Sequence, residues 1–90
     1  MKKLIEEKLE EIKEIAFESA QEARDICDGW RCYVWMFENG YIESYVETLA
    51  YPSEGICLTQ FNSGHNLTDR QIKKEIDEQL EYLLYSLDEF

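Results

Sequence analysis

"WRCYVWMFENGYIESYVETLAY", residues 30–51, is the stretch on which the fold turns. Two runs rich in β-branched and aromatic residues flank Asn39-Gly40, a strong short-range hairpin signal. A two-residue turn there pairs Glu38 with Tyr41 and sets every later pair. In that register Tyr33, Trp35 and Phe37 share a face with Ile42, Val46 and Thr48, and this face is expected to meet the core. The other face gathers Trp30, Cys32, Val34 and Met36 beside Tyr41, Glu43, Tyr45, Glu47 and Leu49. Both faces are apolar and aromatic, although a small sheet needs only one buried side.

Helical patterns lie on either side of the hairpin. Ile5, Leu9, Ile12, Ala16, Ala20, Ala23 and Cys27 form an apolar stripe within residues 3–28, closed by Gly29. After the hairpin, "PSEG" (52–55) reads as a turn and "ICLTQF" (56–61) as a third strand. Thr68 with Gln71 three residues on has the form of a capping box. It opens a helix over 68–88 with a stripe at Ile72, Ile76, Leu80, Leu83 and Leu87. The expected architecture is one α+β domain over residues 1–90. Strands at 30–38, 41–50 and 56–61 form a three-stranded antiparallel meander in α-β-β-β-α order, with both helices on one face. That element order resembles the double-stranded-RNA-binding domain. The basic helix start that such domains set against phosphates has no counterpart in "LTDRQIKKEIDEQ", so the resemblance extends to order alone.

Two helices cover one sheet face, which leaves the second as an expected open patch rimmed by Glu38, Glu43 and Glu47. Exposed apolar patches of this kind mark interaction sites, and Trp30, Met36, Tyr41 and Tyr45 are residue types enriched at interface cores. A homodimer burying that face is the alternative, as is the first helix wrapping the sheet edge.

Charge is the dominant global property. Twenty Asp and Glu against nine Lys and Arg give a formal net charge of -11. Such a chain is repelled by nucleic acid, whose binding needs cationic side chains, and by anionic membrane surfaces. It is drawn to basic protein surfaces. Met1-Lys2-Lys3 leads into an acidic amphipathic run rather than an apolar signal core, and no segment is long enough to span a bilayer. Three cysteines, an odd number, argue against a disulfide framework. The expected setting is the cytoplasm.

Wound as a helix, Glu7, Glu11, Glu14, Glu18, Glu22 and Asp25 fall on one stripe opposite the apolar one. Their carboxylates recur every ~5–6 Å along the axis, a spacing that can imitate a run of phosphates. A solvated helix face is the plain alternative. Like charges four apart each cost roughly 0.2–0.5 kcal/mol, and Glu22, Asp25, Asp28, Asp88 and Glu89 oppose the dipoles of their helices. These acids do not serve the fold locally.

Other constellations fall short of a site. Cys27, Cys32, Cys57 and His65 lack the second close pair of a structural zinc set. Cys57, His65 and Asp69 could be drawn as nucleophile, base and orienter, but nothing in the spacing brings them together. Tyr82 and Tyr85, off the apolar stripe near Glu78 and Glu81, are either interface anchors or half-buried flanking residues. Asn66-Leu67-Thr68 fits a glycosylation pattern that serves in the cytosol only to start a helix. No cofactor motif is present, and no metal is expected.

The expected function is therefore non-enzymatic. The chain is read as an acidic inhibitor that occupies a basic, nucleic-acid-binding surface of a target such as a nuclease. In size and charge it is similar to the small proteins with which phages counter CRISPR or restriction nucleases, and to immunity proteins of nuclease toxins. The competing expectation is a small self-associating structural or adaptor domain.

Overall fold

The computed structural model describes residues 1–26, 31–48, 50–62 and 66–88. Its elements are α1 (Lys2–Glu7), α2 (Leu9–Ile26), β1 (Arg31–Met36), β2 (Ile42–Val46), β3 (Ile56–Asn62) and α3 (Asp69–Asp88). The α+β class, the α-β-β-β-α order and the antiparallel pairing are as expected, and the helices pack on the sheet. The first helical run is divided at Lys8, whose φ of -106° and ψ of 14° interrupt the helix. There Lys8 Nζ donates to the Gly40 carbonyl of the hairpin at 3.0 Å. The capping box forms in full: Thr68 N–H donates to Gln71 Oε1 at 2.8 Å, and Gln71 N–H to Thr68 Oγ1 at 3.1 Å.

The hairpin departs from its expected register by one residue. Gly40 N–H donates to the Phe37 carbonyl at 2.8 Å and Phe37 N–H to the Tyr41 carbonyl at 2.9 Å. Gly40 takes a φ of +86°, and Asn39 Oδ1 accepts the Tyr41 N–H at 3.0 Å. This is the three-residue loop with a left-handed glycine, not the two-residue turn. Phe37 consequently faces Tyr41, and β1 pairs β2 as Cys32–Val46, Tyr33–Tyr45, Val34–Ser44, Trp35–Glu43 and Met36–Ile42. A slip of one exchanges the faces of one strand relative to the other. The core face is Cys32, Val34 and Met36 with Ile42 and Val46; Tyr33 and Trp35 belong to the opposite face.

Strand order is the second departure. The sheet runs β2-β1-β3, so β1 is central, unlike in a sequential meander. Both neighbours are antiparallel to β1 and therefore parallel to each other. The chain leaving β2 beside Cys32 must enter β3 beside Met36, at the other end of the sheet. That is a path of roughly 16 Å along the strand and ~10 Å across it. Residues 47–55 can span about 30 Å. Helices occupy one face, so this connection crosses the other, over Tyr33 and Trp35.

That path answers why β1 is apolar on both sides. Cys32, Val34 and Met36 pack with Ile12, Ala16, Ala20, Ile72, Ile76 and Leu80 from the helices. On the far side Tyr51 of the crossover stacks against Tyr33 at 4.8 Å and Trp35 at 5.8 Å between ring centroids. The Tyr33 hydroxyl donates to the Ala50 carbonyl, and Trp35 Nε1–H to the Glu54 carbonyl at 2.6 Å. Burial pushes the Tyr33 phenol above its ordinary range. A loop lying on a sheet needs such donors, because its carbonyls are turned away from water.

Gly55 ends the crossover with φ +95°. A Cβ there would stand 2.5 Å from the Met36 carbonyl oxygen and against the Trp35 indole nitrogen. At Gly40 the nearest atoms are the far end of Lys8 at 3.5 Å. Gly55→Ala is thus expected to lower stability by about 2–4 kcal/mol and Gly40→Ala by about 1 kcal/mol. Urea midpoints at unchanged slope measure both; equal losses would place the crossover away from Trp35.

Candidate functional site

Helix α2 turns one stripe to the sheet and its reverse to solvent. Ile12, Ala16, Ala20 and Ala23 are buried, whereas Glu11, Glu14, Glu18, Glu22 and Asp25 are exposed. Glu7 is also exposed but ends α1, on the far side of the Lys8 interruption. The row on α2 runs about 21 Å from Glu11 to Asp25 at helical rise.

Five of the nine Lys and Arg side chains have other contacts, Lys8 with the hairpin among them. Lys2 bridges Glu6 and Asp88, Lys13 bridges Asp77 at 3.4 Å, and Lys73 lies over the Phe17 ring at 4.8 Å from its centroid. Arg24 donates to Asp69 Oδ1 and to the Leu67 carbonyl, both at 2.9 Å, tying the end of α2 to the start of α3. It also meets Asp25 at 3.5 Å. The hydrogen bond from Arg24 holds the Asp69 carboxyl below its ordinary 3.8. That contact therefore stabilises fully above the ordinary value and is lost as pH falls through the lowered one. Among the described residues, no Lys or Arg nitrogen lies within 4.0 Å of a carboxylate of Glu7, Glu11, Glu14, Glu18 or Glu22.

The remaining expected contact residues do not join this row. Met36 is fully buried in the core and cannot anchor a partner; the one-residue register change put it there. Trp30 lies outside the described residues. Tyr41 and Glu47 are exposed; Glu43 and Tyr45 are half-buried and hydrogen-bonded to each other at 3.1 Å. These four belong to the crossover side of the sheet, whereas the acidic row points away from the helix side. One partner surface cannot engage both at once. Tyr33, stacked 4.9 Å from Tyr45, is only 3% exposed, so the face expected to be open is largely closed by the chain's own Tyr51.

The helix layer carries its own exposed aromatics. Tyr82 is 73% exposed and Tyr85 62%, and with Glu78 and Glu81 they line a shallow groove of about 360 Å³. All four lie opposite the buried Ile72-Ile76-Leu80 stripe of α3, and Glu78 and Tyr82 also border a groove with Cys57, Leu58, Thr59 and Gln60 at the β3 edge. Their displacement from the apolar stripe was the available sequence signal. The structure resolves the choice in favour of exposure over partial burial.

Nucleophilic chemistry finds little support. The Cys57 thiol donates to the Thr59 carbonyl at 3.5 Å, and burial raises it above its ordinary range, which disfavours the reactive thiolate. Cys32 is buried among the core side chains. Cys27 and His65 lie outside the described residues, so the zinc set and the Cys-His pair, which already fell short in the sequence, lie partly outside them. No group of three or more His, Cys, Asp or Glu suited to a metal occurs among the described residues. None of their helices is long and apolar enough to cross a membrane.

Compared with protein families, with curated proteins and with solved structures, the chain matches none.

The two exposed tyrosine classes should behave differently on truncation. Tyr51→Ala is expected to cost about 1–2 kcal/mol despite its exposure, because Tyr33 and Trp35 lose their cover. Tyr82→Ala should stay within about 0.5 kcal/mol. Denaturant melts decide, and a neutral Tyr51→Ala would contradict the stacked crossover.

Proposed function

We propose that the protein is a non-enzymatic acidic inhibitor, working in the cytoplasm, whose α2 face occupies a basic, nucleic-acid-binding surface of a target protein, as a nuclease would present. The observation that carries this reading is the row Glu11, Glu14, Glu18 and Glu22: exposed, regularly spaced and, among the described residues, with no Lys or Arg nitrogen within 4.0 Å of their carboxylates. Charge arranged this way raises the encounter rate with a basic partner and disfavours wrong ones.

Steering alone gives little residence time, which depends on desolvated anchors. Tyr82 and Tyr85 supply candidates on the solvent face of α3, each one helical turn from a carboxylate, where an arginine can stack on the ring and pair with the acid. They take the place expected of Met36, which is buried; Trp30 lies outside the described residues. Tyr41, Glu43, Tyr45 and Glu47 are left outside this contact.

A low-salt pull-down compares the native chain with a variant carrying Glu11→Gln, Glu14→Gln and Glu18→Gln. The captured partner should bind nucleic acid and be displaced from the chain by competing DNA or RNA. Its affinity should fall at least about tenfold between ~0.05 and ~0.3 M salt, and the variant should lose most of it. Binding that survives both salt and the three substitutions would refute the reading.

A further inference from the structure

The two edges of the sheet are treated differently. Phe37 and Glu47 donate to Tyr41 and Arg31 across β1 and β2. By antiparallel alternation, Tyr41, Glu43, Tyr45 and Glu47 turn their backbone groups inward to β1, and Ile42, Ser44 and Val46 turn theirs outward. On β3, Gln60 at the strand centre is among the outward residues. Its N–H donates to Gln79 Oε1 at 2.7 Å, and its carbonyl accepts from Gln79 Nε2 at 2.8 Å. One side-chain amide of α3 thus closes that edge as a neighbouring strand would.

The β2 edge has no such closure. Among the described residues nothing besides β1 meets the backbone of Ile42, Ser44 or Val46. The crossover leaves from the end of β2 and passes over β1, and Ser44 at the strand centre is exposed. Glu47, with φ +62°, ends the extended run, so the free edge is a defined five-residue unit.

This unit is self-complementary. Laid antiparallel on a second copy about a two-fold axis at Ser44, it places Ser44 opposite Ser44, Ile42 opposite Val46, Glu43 opposite Tyr45 and Tyr41 opposite Glu47. All three outward residues then sit in hydrogen-bonded pairs. The apolar pairs extend the core face, and no two carboxylates stand directly opposite, the arrangement that would destabilise a ladder. We propose that a second copy of this chain adds to β2 in this register, giving a six-stranded sheet in the order β3-β1-β2 followed by β2-β1-β3. The interaction is symmetric and closed. Five-residue strands bury little area, so the dimer is a weak one, below the size of a standing interface. It does not rest on the inhibitor reading.

Sedimentation of the intact chain between about 10 μM and 1 mM tests it, since mass action sets the dimer fraction. Each copy carries a net charge of -11, so raising salt from ~0.05 to ~0.5 M should strengthen association by roughly tenfold. Partner capture through the acidic row weakens with salt, and the two claims can fail separately. Ser44→Pro removes only an outward N–H, which edge strands tolerate, and should abolish the dimer with the far-ultraviolet spectrum unchanged. A second variant guards against an effect of proline on the strand. With Cys27 and Cys57 changed to Ser, Ser44→Cys should give a disulfide-linked dimer on mild oxidation. Paired Cα atoms there stand ~5.5 Å apart, within disulfide range, whereas Glu47→Cys should not link. A monomer at every concentration and salt, or equal linking by both cysteine variants, would overturn the proposal.

Discussion

The structure depends on the central place of β1. A three-stranded sheet whose middle strand comes first in sequence obliges the chain to pass from one edge to the other after β2. With the helices on one face, the passage lies on the other. Everything unusual in residues 31–55 follows from that obligation. Tyr33 and Trp35 give the crossover an apolar bed and two donors for its carbonyls. Tyr51 stacks down onto them, and Gly55 lets the backbone approach where no side chain fits. An isolated three-stranded sheet with one solvated face would not need this aromatic layer. The crossover makes β1 a core strand on both sides.

The same arrangement divides the surface by chemistry. Helices α2 and α3 put their apolar stripes on the sheet and their acids outward, so the negative face and the aromatic face lie on opposite sides. Four of the nine Lys and Arg act as straps: Lys8 to the hairpin, Lys13 and Arg24 between α2 and α3, Lys2 to the end of α3. Among the described residues no Lys or Arg pairs with Glu11, Glu14, Glu18 or Glu22. Repulsion along α2 thus remains, offset by its buried Ile and Ala side chains.

Much of the fold was legible because local rules acted without competition. Thr68 and Gln71 announce a helix start, and the stripes through Ile12-Ala16-Ala20 and Ile72-Ile76-Leu80 reach the core as their spacing implies. The hairpin's existence was equally plain, but its register was not. Asn39-Gly40 suits both a two-residue turn and a three-residue loop with a left-handed glycine, and choosing between them exchanges the faces of the paired strands. Met36 moved to the helix side and Tyr33 to the crossover side for that reason. Strand order was beyond local signals altogether. The acids of α2 point outward as their spacing implies because helical periodicity does not depend on register, whereas the placing of Met36 did depend on it.

The central claim is that β1 pairs β2 with Val34 opposite Ser44 and carries the crossover on its aromatic side. Cross-strand contacts between Hα protons, measured by nuclear Overhauser spectroscopy, address it directly, because in antiparallel sheets they mark the non-hydrogen-bonded pairs. The account predicts them between Val34 and Ser44 and between Met36 and Ile42, together with contacts from the Tyr51 ring to Tyr33 and Trp35. Hα contacts from Trp35 to Ser44 and from Phe37 to Ile42, with Tyr51 free in solvent, would contradict it.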